Sequence, residues 1–378
     1  MVVVLSPGQG SQSVGMLAPW LELPGADERI ARWSDIAGLD LRAAGTTWSA
    51  DEIRDTAVAQ PLLTAAALLS ATALLGEHVP AAVCGHSIGE LPALAVAGVL
   101  SPDDAVALAA LRGRAMAQAA QVAPTGMAAV LGGDADEVLA TATALGLEVA
   151  TVNVAGQVVL GGPAAALQAL ADAPPAGARV RPLDVAGAFH TSAMSPATEA
   201  FGAALQALAP GTPRTAIVAN RDGKVVTDGA EALHRLLDQL TSPVRFDLCL
   251  IALATAGIAA VVELAPGGTL SALAKRALPG AQIVALKTPD DLAAARALLH
   301  PAGEQTSLEW RTLQSPDSGV VDPLAGIGQR VAEGDTIALI AGRSGAHPVL
   351  APVAGTVTEW LVSPGDPVRA GQTLAVLA

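Results

Sequence analysis

A short apolar run, Val79–Val83, leads at once into Gly85-His86-Ser87-Ile88-Gly89-Glu90 and then into a stretch dominated by Ala and Leu. A serine set between two glycines at a strand-to-helix junction strongly limits the local fold. Small residues on either side relieve the crowding of a sharp turn, and the serine hydroxyl is left presented at its apex. The same turn aims the backbone N–H of Ile88, at the positive end of the helix, toward any oxyanion that develops there. Such a junction belongs to a sheet covered by helices, and the rest of the chain agrees. From residue 1 to about 287, short β-like runs alternate with Ala-rich helical stretches, which predicts an α/β domain with a parallel sheet. Val2–Leu5 is the first of the buried strands, closed by Pro7 and Gly8.

Helix starts are clearly marked. Ser101-Pro102-Asp103-Asp104 and Thr288-Pro289-Asp290-Asp291 each supply a cap, a proline at the first helical position and acids in the first turn. These paired carboxylates read as caps, not as acid–base catalysts. Between about 125 and 185 the pattern changes. Met127–Leu131 reads as strand, Asp134–Leu145 as helix, Val149–Val154 and Gln157–Leu160 as strands, Pro163–Ala173 as helix and Ala178–Val185 as strand. That βαββαβ order predicts a ferredoxin-like subdomain, 125–185, inserted between two parts of a large subdomain, 1–124 and 186–299. An insertion leaves a cleft between lobes, a common place for a small-molecule site.

Composition removes several classes of function. Arginine and lysine number 21 against 35 acids, a formal net charge of −14, and aromatic residues are 2% of the chain. Nucleic-acid binding needs basic stripes and stacking platforms, so that class is excluded. Two cysteines, Cys84 and Cys249, make no disulfide framework and fit a reducing compartment. The first residues lack a basic segment and a long apolar run, so no signal peptide is expected. Gln60-Pro61 interrupts the longest uncharged apolar stretch, leaving about 16 residues where a membrane helix needs roughly 20. The expectation is a cytoplasmic protein with no membrane contact.

A serine nucleophile needs a base. Of six histidines, His78, His234, His300 and His347 have no suggestive context. His86 adjoins the serine, but side chains at i and i+1 diverge. His190 closes the inserted subdomain in Ala186-Gly187-Ala188-Phe189-His190, where both lobes can meet, and the sequence pattern alone leaves that pairing open. Nor does pattern choose between Arg112 and Arg114 in the uniformly apolar helix around them.

The motifs in order are Gly8-Gln9-Gly10-Ser11-Gln12, Gly85–Glu90, Arg112-Gly113, Asn153 with Gly156-Gln157, Gly187–His190, Gln239-Leu240 and Gly267-Gly268-Thr269-Leu270. Together they resemble the malonyl-CoA:acyl-carrier-protein transacylases of bacterial fatty-acid synthesis, over residues 1 to about 287. The resemblance implies an α/β-hydrolase-like large subdomain, acylation of Ser87, and His190 as its base. The main-chain carbonyl of Gln239 would orient that histidine. Gln9 and the Ile88 amide would form the oxyanion hole, with Gln60 as a supporting polar contact. Arg112 would clamp the free carboxylate of malonate, with Asn153 and Phe189 at the substrate, and bulk at Phe189 would disfavour an α-methyl group. Malonyl-CoA and acyl carrier protein are the implied partners, and no metal is implied. An acidic carrier needs a local basic patch, for which Arg245, Lys275 and Arg276 are candidates. Other readings are a polyketide or malonate decarboxylase acyltransferase, a simple esterase, or an inert scaffold.

A linker is expected at 300–312, ahead of a second domain, 313–378. There Ser315–Gly319, Val331 and Gly334–Leu339 recur as Ala351–Gly355, Val368 and Gly371–Val376, offset by 36 and then 37 residues. Short strands and this duplication predict a small all-β domain of two related halves. It resembles a biotinyl/lipoyl carrier domain of the barrel-sandwich type. The turn expected to bear the acceptor lysine is Ala341-Gly342-Arg343-Ser344-Gly345-Ala346-His347-Pro348, and the chain's three lysines are Lys224, Lys275 and Lys287. An arginine cannot form the amide, so no cofactor is expected, and a docking role toward an unknown protein partner is the favoured reading.

Overall fold

The computed structural model describes residues 1–299, 311–342, 345–351, 354–370 and 372–377. The chain divides into two compact units, one of residues 1–254 and 258–305 and the other of 255–257 and 306–378.

In the first unit a six-stranded sheet runs Gln282–Ala285, Ala260–Glu263, Val2–Ser6, Ala82–Gly85, Ala216–Val218, Val225–Val226. Neighbours are parallel except the last pair, which is antiparallel, so the sheet is mixed. Val2–Ser6 is buried at every position, as a strand covered on both faces must be, which is why it reads as a continuous apolar run. The strand expected at Val79–Val83 begins at Ala82 instead. Pro80 has no N–H to give the ladder, Val79 is exposed, and pairing starts where Val3 meets Ala82.

Gln60-Pro61 does not break its helix. Thr56–Leu75 is continuous over 20 residues, with Asp55 capping it through the Ala57 N–H. An internal proline costs about 3 kcal/mol. Leu62, Leu63, Leu68, Leu69 and Leu74 are all buried, each contributing about 2 kcal/mol, and that outweighs the proline. The helix is long and apolar enough to cross a membrane, yet 83% of its most apolar window is buried inside the protein, as in a core helix. Pro102–Ala120, capped by Ser101, lies against it so closely that a Cβ on Gly113 would stand 2.7 Å from the Thr56 carbonyl oxygen.

A second sheet in the same unit has the order Ala178–Leu183, Thr125–Gly132, Gln157–Pro163, Glu148–Val154, Val244–Arg245. Its first four strands are antiparallel and, with helices Ala135–Ala144 and Ala164–Asp172, follow the βαββαβ order. The fifth, parallel to Glu148–Val154, is only two residues long and carries no pattern that sequence could reveal.

The second unit is all β. One antiparallel sheet is ordered Arg311–Gln314, Thr373–Leu377, Gly355–Trp360, Arg330–Val331; the other is ordered Gly345–Leu350, Thr336–Gly342, Gly319–Pro323, Pro367–Val368. Strands of the two quasi-repeats occupy equivalent places, and each half lends its short strand to the other's sheet. Val321, Ile337, Ile340, Val357 and Leu374 meet in one core. Gly342 pairs with Gly345 at the hairpin end. Arg343 and Ser344 of the expected lysine turn lie outside the described residues, as do 300–310 of the expected linker and Pro352, Val353 and Gly371 of the repeats.

Candidate active site

The parallel register brings three loops to one edge of the mixed sheet. Ser6 pairs with Gly85, so Gly8 and Gln9 emerge beside the turn at Ser87, and Cys84 pairs with Val218, so Asn220 emerges on its other side. Ligand sites of open α/β sheets form at this carboxyl edge. Both glycines of the elbow are sterically required. A Cβ at Gly85 would lie 2.1 Å from the Gly89 carbonyl, and one at Gly89 would lie 2.2 Å from the Ser6 oxygen.

Ser87 and His190 are the two non-glycine residues with positive φ among the described residues, +54° and +60°. Such conformations are held only where the surroundings over-determine them. At Ser87 the hold is Asn220, whose Oδ1 accepts the Ser87 N–H at 2.8 Å while its Nδ2 donates to the Gly85 carbonyl at 2.6 Å. His190 lies at hydrogen-bond distance from both its partners. Its Nδ1–H donates to the main-chain oxygen of Gln239 at 2.7 Å, which leaves Nε2 to accept from the Ser87 hydroxyl at 2.7 Å. Burial pushes the imidazole down to about 3, the Arg112 charge and His86 add to this, and the bond to Gln239 opposes it. A neutral imidazole facing a hydroxyl is the state a general base requires. His86 points elsewhere, its Nε2 on Asn153 Oδ1 at 2.9 Å and its ring edge-on to Phe246.

Arg112 is fully buried. Its Nη1 donates to Gln60 Oε1 at 3.0 Å, and its Nη2 donates to Gln239 Oε1 at 2.8 Å and to Ser87 Oγ at 3.3 Å. Its Nε has no partner among the described residues. Burial pulls this guanidinium down to about 10, with Glu90 opposing, so it stays charged. Arg114, which pattern could not separate from it, turns away to the carbonyl of Ala37. Gln9 holds Thr56 Oγ1 at 3.1 Å. The Ile88 side chain is buried in the core, so only its backbone amide is free for chemistry. Gln9, Gln60, Ser87, Asn153, Phe189 and His190 all line one cleft of about 520 Å³, floored by the mixed sheet's loops and roofed by the second sheet.

Two residues stand in the site that sequence reasoning did not single out. Asn220 sits 133 positions from the residue it holds, and its signal is a polar side chain two positions beyond the end of an apolar strand. Glu90 was read only as part of the elbow. It is buried, accepting from Gln239 Nε2 at 2.6 Å and from the Asn220 N–H at 2.7 Å. Burial pushes its carboxyl up to about 7, against the pull of the Asn220 bond and the Arg112 charge. No group of three or more metal-ligating side chains suited to an ion occurs among the described residues. Of the basic-patch candidates, Arg245 is engaged by Asp247, while Arg276 lies at the cleft.

The acyl transferase domain family matches residues 3–298. The malonyl CoA-acyl carrier protein transacylase of Mycobacterium tuberculosis is 53% identical over 296 residues, spanning 77% of this chain and 98% of that protein. The crystal structure of MCAT from Mycobacterium tuberculosis matches with a TM-score of 0.76 at 52% identity, over 78% of this chain and 99% of the other. A malonyl-transacylase solved with its type II PKS acyl-carrier protein matches with a TM-score of 0.75 at 30% identity, over 79% and 99%.

Proposed function

The chain belongs to the acyl transferase family, and from that premise we propose that it moves malonyl from malonyl-CoA to the phosphopantetheine thiol of acyl carrier protein through an ester on Ser87. The observation that carries this reading is the buried Arg112 guanidinium, which donates to Ser87 Oγ at 3.3 Å. A cation at that distance from the nucleophile suits an acyl group that carries a second carboxylate, and an Arg–carboxylate fork is bidentate and strong. An acetyl group would leave the buried cation unmatched, which is the kind of loss that supports large discrimination.

The chemistry follows from the bond directions. His190 Nε2 takes the Ser87 proton as Oγ attacks the thioester carbonyl. The oxyanion is held by the Ile88 amide and Gln9. Collapse breaks the C–S bond, and the imidazolium returns its proton to the departing CoA sulfur. The carrier's thiol then gives its proton to His190 and attacks the ester, and Ser87 recovers its hydrogen as the carbon–oxygen bond breaks. Asn153 and Phe189 shape the acyl end of the cleft. Arg276, with the exposed Lys275 beside it, offers the acidic carrier a basic point of approach.

Mixing the protein with malonyl-, methylmalonyl- or acetyl-CoA, with and without holo-carrier, and following masses tests this. A malonyl adduct that passes to the carrier is expected. Hydrolysis without transfer would make the protein an esterase, and no adduct would make it a scaffold. Similarity to the transacylase paired with a type II PKS carrier favours a second reading in which the carrier serves polyketide synthesis. Comparing kcat/KM for the two kinds of carrier decides between them. For the all-β unit we read a biotinyl/lipoyl-like, barrel-sandwich fold, supported by its duplicated halves, serving as a docking module. With no lysine beyond Lys287, it would take neither biotin nor lipoate, and a lipoyl or biotin blot of the full chain checks that.

A further inference from the structure

The carboxylate of Glu90 and the guanidinium of Arg112 are both buried, yet they do not touch; the side-chain amide of Gln239 stands between them. Arg112 can only donate, so the amide oxygen must face it, and the amide nitrogen then faces Glu90 Oε2 at 2.6 Å. Gln239 Nε2 also lies 3.2 Å from Asn220 Oδ1 and 3.4 Å from the Ser87 carbonyl, both acceptors, so no other orientation satisfies the site. Both oxygens of Glu90 receive N–H donors, and neither partner could accept a proton from it. With both oxygens taken by donors the arrangement suits a carboxylate anion, the form Glu90 adopts as pH rises through about 7. Arg235, the other cation that acts on Glu90, is itself paired with Asp222 and Glu231, leaving Arg112 without a carboxylate of its own among the described residues.

We propose that Glu90 is a positioning residue: the counter-charge of Arg112, relayed through the Gln239 amide, which holds the guanidinium beside Ser87 while leaving it free to grip the substrate's second carboxylate. A buried cation needs compensation, but a direct Glu–Arg pair would fill the fork that the substrate must enter. The intervening amide supplies compensation through its dipole while taking a single Nη2 hydrogen, and Nη1, which gives one hydrogen to Gln60, keeps a second for the substrate. This inference rests on Arg112 acting as the clamp proposed above.

The chemistry of the variants follows. In Glu90→Gln the new amide keeps its oxygen on the fixed Asn220 N–H and turns its NH2 toward Gln239. Gln239 must then reverse and present NH2 to Arg112, donor against donor. The malonyl-to-acetyl ratio of kcat/KM falls about 50-fold, chiefly through the KM for malonyl-CoA. Glu90→Asp, which retains the anion, recovers much of the ratio. Gln239→Met keeps the main-chain carbonyl that holds His190, and it loses the ratio to a similar degree. Because Glu90 acts through Gln239, adding Glu90→Gln to Gln239→Met costs less than about twofold more.

A folded Glu90→Gln enzyme whose ratio stays within about threefold of wild type, or multiplicative losses in the double variant, overturns the proposal. Should Glu90→Gln fail to fold, Gln239→Met decides on the same ratio. A wild-type protein that takes no malonyl label brings down the underlying reading instead, which separates the two failures.

Discussion

Ser87 Oγ and His190 Nε2 stand 2.7 Å apart, and each of the two residues holds a left-handed backbone that L side chains rarely adopt. Each such position costs about 1–3 kcal/mol, so the surrounding framework maintains the pair against its local preference. Different elements do this: Asn220 fixes the serine's amide, and the carbonyl of Gln239 fixes the imidazole.

Removing the base tests the pair as chemistry. His190→Ala is expected to slow CoA release in the acylation half-reaction by about 10³-fold, the size typical of general-base loss. Quenched-flow measurement of a single turnover reads this directly, and a change under tenfold would remove His190 from proton transfer.

Arg112→Ala removes the clamp. Malonyl-CoA turnover falls by about 10³-fold or more, while the acetyl-to-malonyl ratio rises, because only the malonyl group loses its partner. Equal losses on both substrates would assign Arg112 to holding Ser87 rather than to choosing the acyl group.

Glycines at the elbow are needed for space and not for a left-handed backbone, since neither Gly85 nor Gly89 has positive φ. Gly89→Ala places a Cβ 2.2 Å from a main-chain oxygen, so destabilisation of about 3 kcal/mol or more is expected. Gly146→Ala instead forces a side chain onto positive φ, +68°, where it meets nothing within 4 Å, so it costs about 1 kcal/mol. Denaturant midpoints of the two variants compare these terms, and equal losses would rule out close approach as the reason for Gly89.

Two buried groups shift in opposite directions, and their pH signatures differ. His190 moves from 6.5 to about 3, so its unfolded form holds a proton that the native form lacks. Stability from neutral His190 is full above about 6.5 and is lost as pH falls toward about 3. Glu90 moves from 4.5 to about 7, so its contribution is full below about 4.5 and is lost as pH rises through about 7. The charged or titratable groups facing Glu90 are Arg112, Arg235, Asp222 and Cys84. His190→Gln should flatten the acid side of a melting-temperature profile and Glu90→Gln the alkaline side. Profiles parallel to wild type would contradict both assignments.

Much of this was legible because its causes are short-range. Ser87 is announced by glycines within two positions, and the caps at Ser101 and Thr288 by the residues that follow them. What was not legible depends on long-range register. Asn220 reaches Ser87 only because Cys84 pairs with Val218, and Arg112, which residue pattern alone could not separate from Arg114 and only the family resemblance picked out, differs from it in which face of the helix meets the elbow. Pro61 misleads for a related reason, since a local helix-breaking cost is overridden by burial that no local window contains. Glu90 lies in plain view within the motif, but its partners are brought in from 130 and 149 residues away.

Intact-mass measurement of wild type and Ser87→Ala after exposure to malonyl-CoA, followed by a chase with holo-carrier, tests the central claim most directly. The wild type should gain a single malonyl group and lose it to the carrier, and Ser87→Ala should gain none. An equal adduct on Ser87→Ala, or one that the carrier does not remove, would contradict the account.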